Sequence, residues 1–345
     1  MGNELVSPPA PRLKGALPGL RSKIVYAGVA AAVAAAVPFQ TASAGIELGE
    51  GLSVSGFVDM SYFHFDEDGS PTTKSFGIDQ VETQFLYTGS HGVSAEVDIE
   101  YGENASDLSA SDVTFVEQAF ITKAFTDQFS MKAGRFLSYS GWETEEPTGL
   151  FQYSGTGYAP SFYGYYQQGV SAYYDGGKFA LMGSVVNDVF GYAGGPLERD
   201  TNDLGYEVGL ALMPVEGLTA KLFYMKDEKT DREVITFWAS YAFGGFTFAG
   251  EYNDADYGAA GDGDGFLLMA NYASGPWGVT VRYHDFKDES ATSIALPTGL
   301  NRSAITLSPS YKVGDNLLLV AEYRMDDLEG SVDSKQFALE ALFTF

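Results

Sequence analysis

Apolar and polar side chains alternate with a period of two in one segment after another, from residue 51 to the C-terminus. This period is typical of β-strands, because successive side chains of a strand point to opposite faces. In the final segment, 336–345, the apolar face consists of Phe337, Leu339, Ala341, Phe343 and Phe345. A terminal phenylalanine on such a strand is typical of bacterial outer-membrane barrels, whose last strand closes the barrel.

Sixteen alternating segments are recognisable, and each is long enough for the about 9–11 residues of a tilted membrane strand. The count becomes 14 or 18 if a weak segment, 246–253 or 165–174, is misassigned. The expected strands are 51–64, 75–88, 92–102, 112–125, 128–137, 165–174, 178–187, 204–213, 218–226, 233–243, 246–253, 265–273, 277–286, 303–312, 316–326 and 333–345.

Short and long connections alternate between these segments. The short ones carry turn residues such as Gly176-Gly177 and Gly244-Gly245, whereas the long ones are acidic and rich in glycine. Outer-membrane barrels have this asymmetry, with short periplasmic turns and longer extracellular loops. A soluble β-sandwich is not expected to alternate its connection lengths so regularly. The sequence therefore predicts an all-β fold: a transmembrane antiparallel up-and-down β-barrel of 16 strands.

Residues 1–44 have the features of a secretory signal peptide. Basic residues precede the apolar stretch Ile24–Val37, and Ala42-Ser43-Ala44 forms a cleavage motif. The 14 residues of that stretch are too few to span a bilayer. We expect cleavage after Ala44 and a barrel of residues 45–345 in the outer membrane of a Gram-negative bacterium. Lipids and lipopolysaccharide are then its surroundings.

The charge balance is strongly acidic. The chain has 46 acidic and 20 basic residues, and the expected leader holds one of the acids and four of the bases, so the remaining 301 residues carry a net charge of −29. Such a chain repels nucleic acid and attracts cations. It contains no cysteine, which excludes a disulfide framework.

A closed barrel of 16 strands is wide enough to leave an aqueous channel, and its inner face should be polar. Strand alternation places many acids and few bases on that face. Opposed acidic and basic walls set the charge preference of a pore, and an excess of acid favours cations. The alternative is that these groups only satisfy one another. The expected pore-lining residues are Asp59, Glu82, Glu96, Asp98, Glu100, Glu322 and Glu340, with the bases Lys132, Lys221, Arg282 and Arg324.

The longest connection, 138–164, is both acidic and aromatic. A loop of this length in a compact barrel is usually functional or disordered, and its aromatic content argues against disorder. Two arrangements remain: the loop folds into the lumen and narrows it, or it caps the mouth. Its aromatic residues pack the loop to the wall or form a stacking surface for sugars. The candidate constriction residues are Trp142, Glu143, Glu145, Glu146, Tyr153 and Tyr158.

Three short motifs resemble those of the OmpL-like β-barrel porin family of Gram-negative bacteria. They are Val116–Ile121 (VEQAFI) and Lys132–Phe136 (KAGRF), which precede the long loop, and Gly141-Trp142-Glu143 near its start. The likeness is clearest over residues 112–175. It implies an outer-membrane channel for small hydrophilic solutes, without a cofactor or a defined ligand set. By analogy with general porins, it also implies a homotrimer.

Other functions remain open from the sequence: a substrate-selective channel, or a non-conducting barrel acting as an adhesin or hydrolase. An enzyme is not expected, because the three histidines fall in different parts of the barrel and cannot converge. Asp254, Asp256 and the Gly-rich stretch 261–265 suit at best a weak divalent-cation site, and no metal centre is expected.

Overall fold

The computed structural model describes residues 45–102, 113–143, 146–191, 203–290, 301–329 and 333–345. The expected leader, residues 1–44, and the candidate loop residue Glu145 lie outside the described residues. Within those ranges, no helix is long and apolar enough to cross a bilayer.

Sixteen long strands within the described ranges form one closed antiparallel sheet, and a short strand, β1 (Ile46–Gly49), pairs with the first of them. Each long strand pairs with its neighbours in sequence, and β17 pairs with β2 to close the barrel. The long strands are β2 (Leu52–Glu67), β3 (Thr73–Thr88), β4 (Val93–Gly102), β5 (Val113–Ala124), β6 (Phe129–Leu137), β7 (Tyr166–Asp175), β8 (Phe179–Val186), β9 (Gly205–Leu212), β10 (Leu218–Asp227), β11 (Arg232–Phe243), β12 (Phe246–Asp256), β13 (Asp262–Ser274), β14 (Trp277–Asp288), β15 (Asn301–Val313), β16 (Leu317–Leu328) and β17 (Ser334–Thr344).

The predicted fold is confirmed, and every predicted strand end lies within three residues of the observed one. The two weak segments are real strands, β7 and β12, so the alternative counts of 14 and 18 are wrong. Most of the differences between predicted and observed strand ends occur at the ends that lead into the long loops. There the strands continue beyond the apolar belt, into polar sequence such as Asp254–Asp256, where the apolar alternation fades.

The outer face of the barrel is a continuous apolar belt. Leu222 on β10 pairs with Phe237 on β11, and each is 47% exposed. Their chain neighbours Phe223 and Thr236 point inwards and are fully buried. An exposed apolar belt of this extent would be a severe aggregation hazard in water and is the surface that lipid covers.

The short turns require glycine. Gly244 and Gly245 join β11 to β12 with φ of 54° and 85°, a two-residue turn in which both positions favour residues without a side chain. Aromatic rings surround this end of the barrel: Phe246 lies 4.5 Å from Tyr272, and Trp277 lies 4.5 Å from Tyr311. Such rings form the girdle expected at a membrane interface.

Two β-bulges break the alternation on one side of the barrel. Between β2 and β3, Asp59 pairs with Gln80 and Met60 with Ile78, so Asp79 is the extra residue. Between β4 and β5, Asp98 pairs with Gln118 and Ile99 with Val116, so Glu117 is the extra residue. A bulge re-aims side chains, and here both extra residues are acidic.

Arginine at the middle of the outer face should destabilise the barrel. We expect Leu222→Arg to lower the free energy of unfolding in lipid vesicles by about 2–4 kcal/mol, because the charge must enter the hydrocarbon. The control Val215→Arg places the same charge in the turn 214–217, where Val215 is already exposed. Equal losses for both variants in denaturant titrations would contradict the assignment of the apolar belt.

Candidate pore and the loop that crosses it

The connection 138–164 is here called loop L3, and its described residues, 138–143 and 146–164, lie inside the barrel. It leaves β6, returns to β7 and contacts strands on every side. The Ser138 hydroxyl donates to Glu207 on β9 at 2.8 Å, and the Ser154 amide donates to Glu322 on β16 at 3.1 Å. The Tyr153 hydroxyl donates to Asp79 on β3 at 3.2 Å. These contacts exclude the alternative in which the loop only caps the mouth.

Arg282 on β14, half-way round the barrel from the loop's ends, is the main anchor of L3. Its side chain is 0% exposed, and Nη1 donates to Glu143 Oε1 at 2.5 Å and to the Ser154 carbonyl at 2.6 Å. Glu143 also accepts from the Thr156 backbone amide at 2.7 Å and from the Gln152 side-chain Nε2 at 2.9 Å. A buried ion pair with its lone pairs satisfied in this way fixes the path of the chain.

Arg324 on β16 repeats the arrangement beside Arg282. Its Nη1 donates to the Gly155 carbonyl at 2.6 Å, and its Nη2 donates to the Thr156 carbonyl at 3.3 Å. Asp326, on the same strand, accepts from Nη2 at 2.7 Å and neutralises the charge. Arg282 and Arg324, the residues of the predicted basic wall, both donate to L3, which lies over them.

A second anchor, Glu251 on β12, holds the two ends of L3 together. It accepts from the Trp142 amide at 2.5 Å, from the Tyr158 hydroxyl at 2.7 Å and from the Tyr163 hydroxyl. Burial raises the pKa of both tyrosines well above the usual value, and the Glu251 carboxylate adds to the effect. Both phenols therefore stay protonated and remain donors.

The aromatic side chains of L3 pack the loop against the wall. The Trp142 ring lies 5.3 Å from Trp238 and 6.1 Å from Phe151, and the Tyr158 ring lies 5.5 Å from Phe286. Tyr158 is fully buried, and the Tyr153 hydroxyl is bonded to Ser61 at 3.0 Å. Tyr158 therefore presents no open face for stacking, whereas Tyr153 is half-buried.

Gly141 allows the sharp entry into this packing. Its φ is +89°, and a Cβ there would lie 2.5 Å from the Tyr163 ring. Gly134, in the preceding motif, has φ +134°, and a Cβ would lie 2.2 Å from the Ala119 carbonyl on β5. Both glycines are therefore backbone positions without room for a side chain.

The acidic candidates lie together on one side of the lumen. On β4, Val97 and Ile99 face outwards, which leaves the intervening carboxylates on the inner face. Cross-strand pairing sets Glu82 directly opposite Glu100, and Gln84 opposite Asp98. We call the inner carboxylates of five adjacent strands, β17 and β2–β5, the acidic wall: Asp59, Asp79, Glu82, Glu96, Asp98, Glu100, Glu117 and Glu340. Glu322 lies apart on β16, under L3.

The two lysines among the candidates lie on the remaining arc and face aromatic rings. Lys132 Nζ on β6 is 4.4 Å from the centre of the Phe136 ring and 4.5 Å from that of Tyr139. Lys221 Nζ on β10 is 4.9 Å from the centre of the Trp238 ring. Lys132 also lies close enough to Glu96 of the acidic wall, and to Glu207, to interact electrostatically with both carboxylates.

Several luminal acids were not predicted. Strand alternation alone would have identified Glu207 and Glu251, because Val208 and Tyr252 beside them face outwards. Glu117 and Asp79 carry no such signal, since both are the extra residues of bulges.

These features define a class: a closed 16-stranded antiparallel barrel with an apolar outer belt, a polar lumen and an inward-folded third loop is a porin-type barrel. The chain belongs to the family described as "Putative beta-barrel porin-2, OmpL-like", whose model matches residues 51–345. No curated protein matches the chain.

Solved porins share this fold at low sequence identity. An anion-selective porin from Comamonas acidovorans is 15% identical, with a TM-score of 0.63 over 85% of this chain and 99% of its own. OprB from Pseudomonas putida is 11% identical, with a TM-score of 0.64 over 86% and 94%. OmpF of Salmonella typhi in complex with daunomycin is 12% identical, with a TM-score of 0.62 over 87% and 100%. At these identities the likeness concerns the fold.

Removing the main anchor should destabilise the barrel through an unpaired buried charge. We expect Arg282→Met to lower the free energy of unfolding by about 3–5 kcal/mol, because Glu143 loses its partner. Adding Glu143→Gln should restore part of this loss, since the buried carboxylate is then gone. Denaturant titrations of both single variants and of the double variant measure the coupling. Strictly additive losses would show that the two side chains do not stabilise each other.

Proposed function

We propose that this protein is an outer-membrane diffusion channel, through which small hydrophilic solutes pass down their gradients with a preference for cations. The proposal rests on a difference in hydrogen bonding between the basic and the acidic walls of the lumen. L3 covers the arginines of β14 and β16, whose charges are balanced by Glu143 and Asp326, while the acidic wall keeps unused acceptor atoms.

The unused acceptors lie on β2–β5. Asp59 Oδ1, Glu82 Oε2, Asp98 Oδ1 and Glu117 Oε2 have no hydrogen-bond partner within the described part of the chain. Arg282 and Arg324, by contrast, donate to Glu143, to Asp326 and to three carbonyls of L3. Carboxylates with free lone pairs in a narrow, low-dielectric passage concentrate cations and repel anions.

The fold does not determine this preference. The similar barrel from Comamonas acidovorans is described as anion-selective. Selectivity therefore has to be argued from the luminal charges of each chain.

The acids of L3 have separate roles in this proposal. Glu143 is buried and paired with Arg282, so it anchors the loop and adds little to the field in the passage. Glu146 accepts from Gln80 Nε2 at 3.0 Å and from the Tyr166 hydroxyl at 3.1 Å, and this places it against the acidic wall. L3 would then narrow the passage and contribute one carboxylate to it.

The channel needs no cofactor and no catalytic group. The packing of Tyr158 and the hydroxyl contacts of Tyr153 give no support to a sugar-stacking path along L3. We place the channel in lipid with lipopolysaccharide on its outer side. We also propose a homotrimer, which is supported by a Vibrio cholerae barrel of similar fold that is described in a trimer form.

Neutralising the acidic wall should reduce the cation preference. We expect the combined variant Glu96→Gln, Asp98→Asn, Glu100→Gln to lower the K⁺/Cl⁻ permeability ratio about twofold or more, because three luminal charges are lost. The measurement is the reversal potential of single channels in a planar bilayer across a KCl gradient, with protein purified from outer membranes.

The matched control is Asp254→Asn, Asp256→Asn, Asp264→Asn, which removes three exposed carboxylates from the outer face. The control should leave the ratio nearly unchanged, since these groups are screened by bulk salt. An unchanged ratio in the β4 variant would exclude the acidic wall as the selectivity element. Absence of conductance from the folded wild-type barrel would exclude the channel itself.

A further inference from the structure

We propose that Glu82, Glu117 and Glu146 form a calcium-binding site that ties loop L3 to the barrel wall. The three carboxylates come from β3, from the bulge of β5 and from L3. One carboxylate oxygen of each residue lies within 4.8 Å of one oxygen of each of the other two. The site does not depend on the proposed transport, because an ion would bind there in a conducting or a closed barrel.

The spacing suits calcium. Calcium binds oxygen at about 2.3–2.6 Å, so two ligands on opposite sides of one ion lie up to about 4.6–5.2 Å apart. Magnesium requires about 2.0–2.1 Å and near-octahedral geometry, which would draw the three oxygens closer together. Three carboxylates from three separate segments also give the adaptable geometry that calcium accepts.

The burial of Glu117 is what distinguishes this cluster from an ordinary acidic surface. Its side chain is 1% exposed, and Oε2 has no hydrogen-bond partner among the described residues. Glu82, 7% exposed, likewise keeps an unpartnered Oε2. A buried carboxylate without a partner is costly, and two of them facing a third carboxylate are more so, unless they share a proton or a cation lies between them.

The local structure holds the three groups in place. The bulge turns both Glu117 and Gln118 inwards, and Gln118 is locked by donating to Asp98 at 2.8 Å and accepting from the Leu137 amide at 2.8 Å. Glu146 is oriented by Gln80 and Tyr166, which use one oxygen each. A carboxylate oxygen has two acceptor directions, so both donors leave room for an ion.

The protein supplies little positive charge to the cluster. The guanidinium of Arg135 interacts electrostatically with Glu117 and lies 5.7 Å from the centre of the Tyr166 ring. Its Nε and Nη2 have no hydrogen-bond partner in the described part of the chain, so it is not paired with these carboxylates through those atoms. One such charge does not balance three carboxylates, with Glu100 directly opposite Glu82 on β4. The excess favours a divalent ion over a monovalent one.

Calorimetric titration tests the site directly. Calcium chloride is titrated into metal-free protein, purified in detergent, with excess potassium chloride to screen the exposed acids. Wild type should bind one ion with a clear heat change. The isosteric variants Glu117→Gln and Glu82→Gln should each weaken that binding at least about tenfold, because each removes one charged ligand. The exposed turn variant Glu216→Gln should bind as wild type does.

Folding of each variant is checked by its mobility on gels with and without heating, and both glutamine variants should fold because each relieves repulsion. Equal calcium binding by wild type and Glu117→Gln would overturn the proposal and assign any bound ion to the outer rim. No measurable binding by wild type would overturn it as well. Stronger binding of magnesium than of calcium would contradict the assignment of the ion. None of these outcomes depends on conductance, so the result stands apart from the test of the channel.

Discussion

The structure depends on one constraint: each backbone N–H and C=O group within the bilayer needs a hydrogen-bond partner in the protein, because the hydrocarbon offers no such partner. The barrel satisfies it by joining β17 to β2, and the pairing continues to the last residue, where Gly56 and Phe345 exchange two backbone hydrogen bonds at 2.9 and 3.1 Å. Closure also fixes register. A slip of one residue would turn Glu340 towards lipid and Leu339 into the lumen, so the alternation of the sequence and the closure of the sheet enforce each other.

Loop L3 depends on this frame and in turn changes its electrostatics. The strands bring Arg282 and Arg324 together on one inner arc, where two buried guanidinium groups need acceptors. L3 supplies them through Glu143 and through the carbonyls of residues 154–156. Residues 154–156 of L3 therefore lie over the basic arc of the lumen. Other contacts of the loop, from Tyr153 to Ser61 and Asp79 and from Gln80 to Glu146, reach the acidic wall.

The sequence predicted the barrel well because its signal is local and repeated: alternation of side chains and of connection length. It predicted the inner position of Asp98 or Arg282 for the same reason. It could not predict Asp79 or Glu117, since a bulge inserts one residue without a mark in the apolar pattern. Nor could it predict that Glu143 pairs with Arg282, because that contact joins residues 139 positions apart and depends on the path of L3 through a closed barrel. The placement of Glu145, outside the described residues, remains a prediction.

The acidic wall itself is electrostatically unfavourable, since Glu82 and Glu100 stand directly opposite each other and like charges in such pairs destabilise a sheet. A chain selected for stability alone would place an amide or a base at one of these positions, as β14–β16 do with their paired arginines. In the proposed channel, cations in the lumen would offset this repulsion. If the proposed calcium site and the proposed cation preference both hold, they compete, because Glu82 serves both. A bound calcium ion would neutralise part of the wall, draw Glu146 inwards and reduce the attraction for further cations. The same carboxylates would then set the selectivity of the passage and make it sensitive to divalent ions.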